Sequence, residues 1–194
     1  VSRKGHELFN KKYMEKELYK SYALCNKLSV ALESGDVNGD GITELPRAVL
    51  MAGYKDTSSS DAVYMLDWYA YGIGKVPTKV ATTYQNISDA WSLLIDQKWH
   101  DRITAIKVSD GGLSYVEFFE YRKNKMSIPL FNIYCATGSN REYYAERTDL
   151  IQLGQTTQAI YFAKLTNEGE QSELALTGDE IKARFSLVNQ AWNN

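Results

Sequence analysis

At 194 residues with a formal net charge of −2, the chain can bury one sizeable core but presents no basic field for nucleic acid and no acidic field for a cationic partner. A composition of 44% hydrophobic and 24% charged residues is ordinary for a soluble globular protein, and no apolar run reaches the ~18 residues that would span a bilayer. Cys25 and Cys135 are too few for a disulfide scaffold and lack metal-ligand spacing, so they read either as two partly buried free thiols or as one bridge.

Residues 7–24 mix strong helix formers with apolar residues near helical spacing, which predicts an N-terminal helix within residues 1–26. Lys11, Lys12, Lys16 and Lys20 interleave with Glu15 and Glu17, the pattern of a solvated helix face. From Leu28 the period changes to two, and a strand enters an oxygen-rich loop at Asp36. Ile42, Leu45 and Ala48 to Met51 lead out of that loop, and Pro46 marks the exit strand as an edge or a bulge. Residues 28–50 thus form a strand, loop, strand unit.

Residues 52–61 read as a polar loop. Val63 to Tyr71 and Lys75 to Tyr84 make a hairpin around Gly72-Ile73-Gly74, and Ala90 to Ile95 is a further strand. Lys98 to Arg102 is a short turn. Ile103 to Val108 and Leu113 to Tyr121 form a second hairpin around Asp110-Gly111-Gly112. Pro129 to Ala136 and Ile160 to Leu165 complete an antiparallel sheet over residues 61–165, with a short helix between them at Ser139 to Arg147. Thr177 and Glu180 form a capping box that opens a C-terminal helix over residues 177–193, whose apolar face carries Ile181, Phe185, Val188 and Trp192. The fold class expected is α+β in a single domain over residues 1–194: a twisted antiparallel sheet of eight or nine strands, possible in two layers, packed by the two terminal helices.

Asp36-Val37-Asn38-Gly39-Asp40-Gly41-Ile42-Thr43-Glu44 is the most explicit chemical motif. Side-chain oxygens of Asp36, Asn38 and Asp40, the backbone carbonyl of Ile42 and the carboxylate of Glu44 recur at every second position. Calcium takes six to eight oxygens in a flexible shell, which suits this alternation on a curved backbone. Asn38-Gly39 and Asp40-Gly41 are also common hairpin-turn dipeptides, so a metal-free turn is the competing reading. Without a cation, however, three converging carboxylates repel one another. An EF-hand needs an acidic twelfth position, where this chain has Arg47, and a dockerin needs a helix where it has Leu45-Pro46. The segment resembles a single FG-GAP-type calcium loop.

A wider resemblance rests on that loop together with Asp67-Trp68-Tyr69, Asp89-Ala90-Trp91, Gln97-Lys98-Trp99, Phe131-Asn132-Ile133-Tyr134, Gly138-Ser139-Asn140-Arg141-Glu142, Ala159-Ile160-Tyr161-Phe162-Ala163 and Leu176 to Phe185. In this order the strings resemble the C-terminal region of Gram-positive bacterial surface lipoproteins carrying FG-GAP or VCBS-like repeats. The resemblance implies export, attachment at the cell surface through an N-terminal lipid outside these residues, and a sheet-rich body. It brings no biochemical activity. Where that group often has a second or third acidic loop, this chain has one.

Other candidate sites are thinner. Tyr64, Trp68, Tyr69, Tyr71, Trp91 and Trp99 suggest either core packing or a sugar-stacking platform. His6 and His100 are the only histidines, Trp99-His100-Asp101 reads as a turn with an aromatic anchor, and no nucleophile elbow, zinc pair or phosphate loop is present. Glu117 and Glu120, three apart on a strand, should face opposite ways and cannot act as a glycosidase pair. Asn86-Ile87-Ser88 matches a glycosylation acceptor, and Tyr121 to Lys125 reads as a solvated basic turn. The expectation is a non-catalytic cell-surface module with a structural Ca²⁺ held by Asp36, Asn38, Asp40, Ile42 and Glu44, binding an unidentified protein or glycan but not nucleic acid, with no transmembrane segment in these residues. A carbohydrate-binding module and a secreted hydrolase are the alternatives.

Overall fold

The computed structural model describes residues 34–55, 57, 62–72, 76–110 and 113–188. Among them are ten strands in two antiparallel five-stranded sheets. Sheet 1 has the order β1 (Leu45–Leu50), β2 (Tyr64–Ala70), β3 (Thr78–Asn86), β4 (Trp91–Leu94), β10 (Phe185–Leu187). Sheet 2 has the order β5 (Ile103–Asp110), β6 (Leu113–Arg122), β7 (Lys125–Thr137), β9 (Ala159–Leu165), β8 (Ile151–Gln155). Two short helices accompany them, α1 (Asn140–Ala145) and α2 (Gly178–Arg184). No helix among the described residues is long and apolar enough to cross a membrane.

One cluster of buried apolar side chains takes residues from both sheets, because alternate positions of each strand turn inward. Tyr84 of β3 meets Phe118 of β6 edge-on at 5.3 Å, and Phe118 stacks on Phe131 of β7 at 4.8 Å. Trp91 and Trp99 are wholly buried. A second, smaller cluster forms where Tyr144 of α1 covers Phe162 and Ile160 of β9 on the outer side of sheet 2.

The sheet-rich body, both hairpins and the short helix of residues 139–147 agree with the periodicities in the sequence. Pro46 lies in β1, which ends the strand order of sheet 1, where a residue without an N–H donor is tolerated. The N-terminal helix of residues 1–26 and the strand entering the acidic loop lie outside the described residues. β8 was not foreseen.

The C-terminal helix requires correction. The predicted capping box is present, with Thr177 Oγ1 accepting from Glu180 N and Glu180 Oε2 accepting from Thr177 N, but α2 ends at Arg184 rather than continuing to residue 193. Phe185 is extended and begins β10, which pairs Phe185 with Leu93 and Leu187 with Trp91. Val188 N extends the ladder by donating to the Ala90 carbonyl at 2.9 Å. The aromatic periodicity that suggested helix is satisfied differently: Phe185 lodges between Trp91, at 5.9 Å, and Tyr161, at 5.6 Å. An unpaired β4 edge and two aromatic contacts outweigh two further helical turns.

Candidate metal centre

The acidic loop is pinned at its base by a two-way bridge, with Gly35 N donating to Glu44 O at 3.1 Å and Glu44 N donating to Gly35 O at 2.9 Å. Gly39 and Gly41 have φ of +77° and +81°, the left-handed conformation that non-glycine residues resist. These reversals bring the backbone N–H groups of residues 39–41 around Asp36. Its Oδ1 accepts from Gly39 N at 2.7 Å and Asp40 N at 3.1 Å, and its Oδ2 accepts from Gly41 N at 2.8 Å. The Gly41 bond is the largest influence holding the Asp36 carboxyl below the usual range, with the Gly39, Asp40 and Asn38 N–H groups assisting against a smaller opposing desolvation. Asp36 therefore organises the loop as an anion.

Asp40 Oδ1 accepts from Ile42 N at 2.8 Å, and Asn38 folds onto Asp40, its Nδ2 donating to Asp40 Oδ2 at 2.9 Å. Glu44 is different in kind. It is fully buried; Oε2 accepts from Val37 N at 2.9 Å, while Oε1 is buried with no hydrogen-bond partner. One carboxylate oxygen each from Asp36, Asp40 and Glu44 lie within 4.8 Å of one another. With Ca–O distances near 2.4 Å, oxygens on opposite sides of one ion stand about 4.8 Å apart, so this spacing suits a single calcium.

Of the five residues expected to ligate, the structure thus brings together three side chains, Asp36, Asp40 and Glu44. Asn38 lies against Asp40, and Ile42 has a half-exposed side chain whose only possible ligand is its carbonyl. The donor set is all oxygen and fits a hard divalent cation rather than a soft one.

The tryptophans among the aromatic candidates are buried, while Tyr64, Tyr69 and Tyr71 are partly exposed. Trp91 and Trp99 are completely buried and Trp68 is 4% exposed, so none of the three can offer a face to a sugar. Trp99 anchors its turn, Nε1 donating to the Leu174 carbonyl at 3.2 Å. Glu120 is fully buried on the inner side of β6, clamped by Arg102 and Arg122, while Glu117 on the other face accepts from Asn132 at 3.5 Å. The two carboxylates do not converge. Cys135 is a free, buried thiol that desolvation pushes up to about 11; Cys25 lies outside the described residues.

The sequence did not announce two polar clusters, because each joins segments that are distant along the chain. Asp67 Oδ1 accepts from Thr82 Oγ1 at 2.6 Å and Lys79 Nζ at 3.4 Å, with His100 Nε2 3.1 Å from both Thr82 Oγ1 and Lys79 Nζ. The other gathers Asn86, Ser88, Asp89, Lys107 and Ser114 where the sheets face each other. Comparison with protein families, with curated proteins and with solved structures gives no match.

Proposed function

We propose that this protein is a non-catalytic module exported to the bacterial cell surface, in which the loop of residues 36–44 holds a structural calcium ion. Asp36, Asp40 and Glu44 supply carboxylate oxygens, and Asn38 and the Ile42 carbonyl complete the protein's share. Glu44 carries the reading. A buried carboxylate oxygen without a partner is expensive, and two further carboxylates beside it raise that penalty unless a cation is present. When bound, the ion supplies charge neutralisation and a crosslink from the loop to the start of β1; it performs no chemistry. The surface location rests on the resemblance of the loop and the ordered strings to FG-GAP-bearing lipoproteins, and the module's role there is to present a rigid surface to a protein or glycan.

Calcium that binds the folded state alone stabilises it by mass action. For the affinity common among extracellular modules, about 0.1–1 mM, a ~10 mM calcium concentration adds roughly 1.4–2.7 kcal/mol. Thermal melting in calcium against a chelator should show this as an upward shift of several degrees, with Asp40→Ala removing it. Identical melting curves, together with no heat of binding at millimolar calcium, would end the metal reading.

A further inference from the structure

Asn86 closes β3 in sheet 1, yet its carboxamide is approached from sheet 2. Only 4% exposed, it donates from Nδ2 to Asp89 Oδ2 at 2.7 Å, while its Oδ1 accepts from Ser88 Oγ at 2.8 Å and from Lys107 Nζ at 3.2 Å. Lys107, on β5, also contacts Ser88 Oγ, and its Nζ stands 3.9 Å from Asp89 Oδ2. Asp89 is itself held in place. Ser114 Oγ donates to its Oδ2 at 2.8 Å, and the Tyr161 hydroxyl donates to its carbonyl at 2.7 Å. An amine therefore touches the amide oxygen, a carboxylate faces the amide nitrogen and a hydroxyl points its proton at the same oxygen. Those are the parts an amide exchange requires: a nucleophile, an acid–base group at the leaving nitrogen and a donor for the oxyanion.

We propose that this cluster is a self-modification site at which Lys107 Nζ and Asn86 Cγ join in an intramolecular isopeptide bond with release of ammonia. Asp89 first takes a proton from the Lys107 ammonium, freeing the nitrogen lone pair. That pair attacks Asn86 Cγ, the C=O π electrons move onto Oδ1, and the Ser88 hydroxyl stabilises the oxygen. Asp89 returns its proton to the former Nδ2. The C–N bond to that nitrogen then breaks as the carbonyl re-forms, ammonia departs, and the attacking nitrogen sheds one proton through Asp89 to become an amide N–H. No oxidant, reductant or outside reagent is consumed. The product is a covalent strut between the two sheets, formed once per chain and independent of the calcium loop.

Intact-mass measurement of the purified protein decides the matter. The expected mass is below that of the unmodified sequence by one ammonia, about 17 Da, and digestion should yield a branched peptide containing both Asn86 and Lys107. Lys107→Arg, which keeps the charge but removes the ε-amine, and Asp89→Ala should each run at their full calculated mass. Wild-type protein at full mass, with Lys107 recovered as an unmodified lysine, overturns the proposal. So does a loss of ammonia that maps to any other residue.

Discussion

Glu44 is the residue at which sequence position, burial and charge come into conflict. Its place at the start of β1 is fixed by the backbone bridge to Gly35, and its Oε2 already satisfies Val37 N–H. The remaining oxygen is sealed from bulk solvent and meets no donor from the protein, which penalises the metal-free state. Glu44→Gln should consequently reverse its effect with conditions. In chelator, removing a buried charge while keeping an acceptor for Val37 should leave stability unchanged or raise it by about 1 kcal/mol. In calcium the variant should fall below wild type by the lost linkage energy, and equal stability losses in both buffers would show that Glu44 serves packing alone. Glu120 is the opposite case, a buried carboxylate fully satisfied. Desolvation pushes its carboxyl up, but hydrogen bonds from Arg122, Ser172 and Arg102 together outweigh it and hold the group below the ordinary glutamate value of 4.5. A carboxyl with a depressed folded value contributes stability that is complete above pH ~4.5 and lost as pH falls through the lower folded value. Urea denaturation across pH 3–7 should therefore show stability declining on the acid side, and Glu120→Gln should flatten that limb at a cost of about 2 kcal/mol near neutrality. This is less than the ~3–5 kcal/mol of a fully buried broken pair because both guanidiniums reach solvent. An unaltered acid limb would place the sensitivity elsewhere.

At the scale of elements, what could be read from the sequence is what is local. The hairpins of β2–β3 and β5–β6 announce themselves by alternation around glycine-containing turns, the α2 start by its capping box, and the acidic loop because all its candidate oxygens lie within nine consecutive residues. β8 escaped because its alternation is too short to stand out: Ile151 and Leu153 pack on the core with Gln152 turned outward between them, and Gly154 and Gln155 add no further apolar residue. β10 escaped for the converse reason: Ile181 and Phe185 are spaced for one helical face, and whether Phe185 continues the helix or leaves it depends on the open edge of β4. Phe185→Ala tests that account. Losing the contacts with Trp91 and Tyr161 should destabilise the protein by about 3 kcal/mol in chemical denaturation, in the range of buried aromatic truncations. A loss below about 0.5 kcal/mol, the size of an ordinary surface change, would mean that β10 contributes little. The Asn86, Asp89 and Lys107 cluster was illegible for a third reason, since the stacking of one sheet on the other brings its members together, and the one pattern its segments carry alone, the Asn86-Ile87-Ser88 acceptor match, points to different chemistry.

For the whole molecule, the route of the chain matters as much as its layers. It builds four strands of sheet 1, crosses to lay down all five strands of sheet 2, and only then returns through α2 to add β10 beside β4. The first layer begun is thus the last one finished. During synthesis, the backbone donors and acceptors along Trp91 to Leu93 wait for a mate that leaves the ribosome some ninety residues later. A nascent edge of this sort is an invitation to a neighbouring chain until its own tail arrives to occupy it.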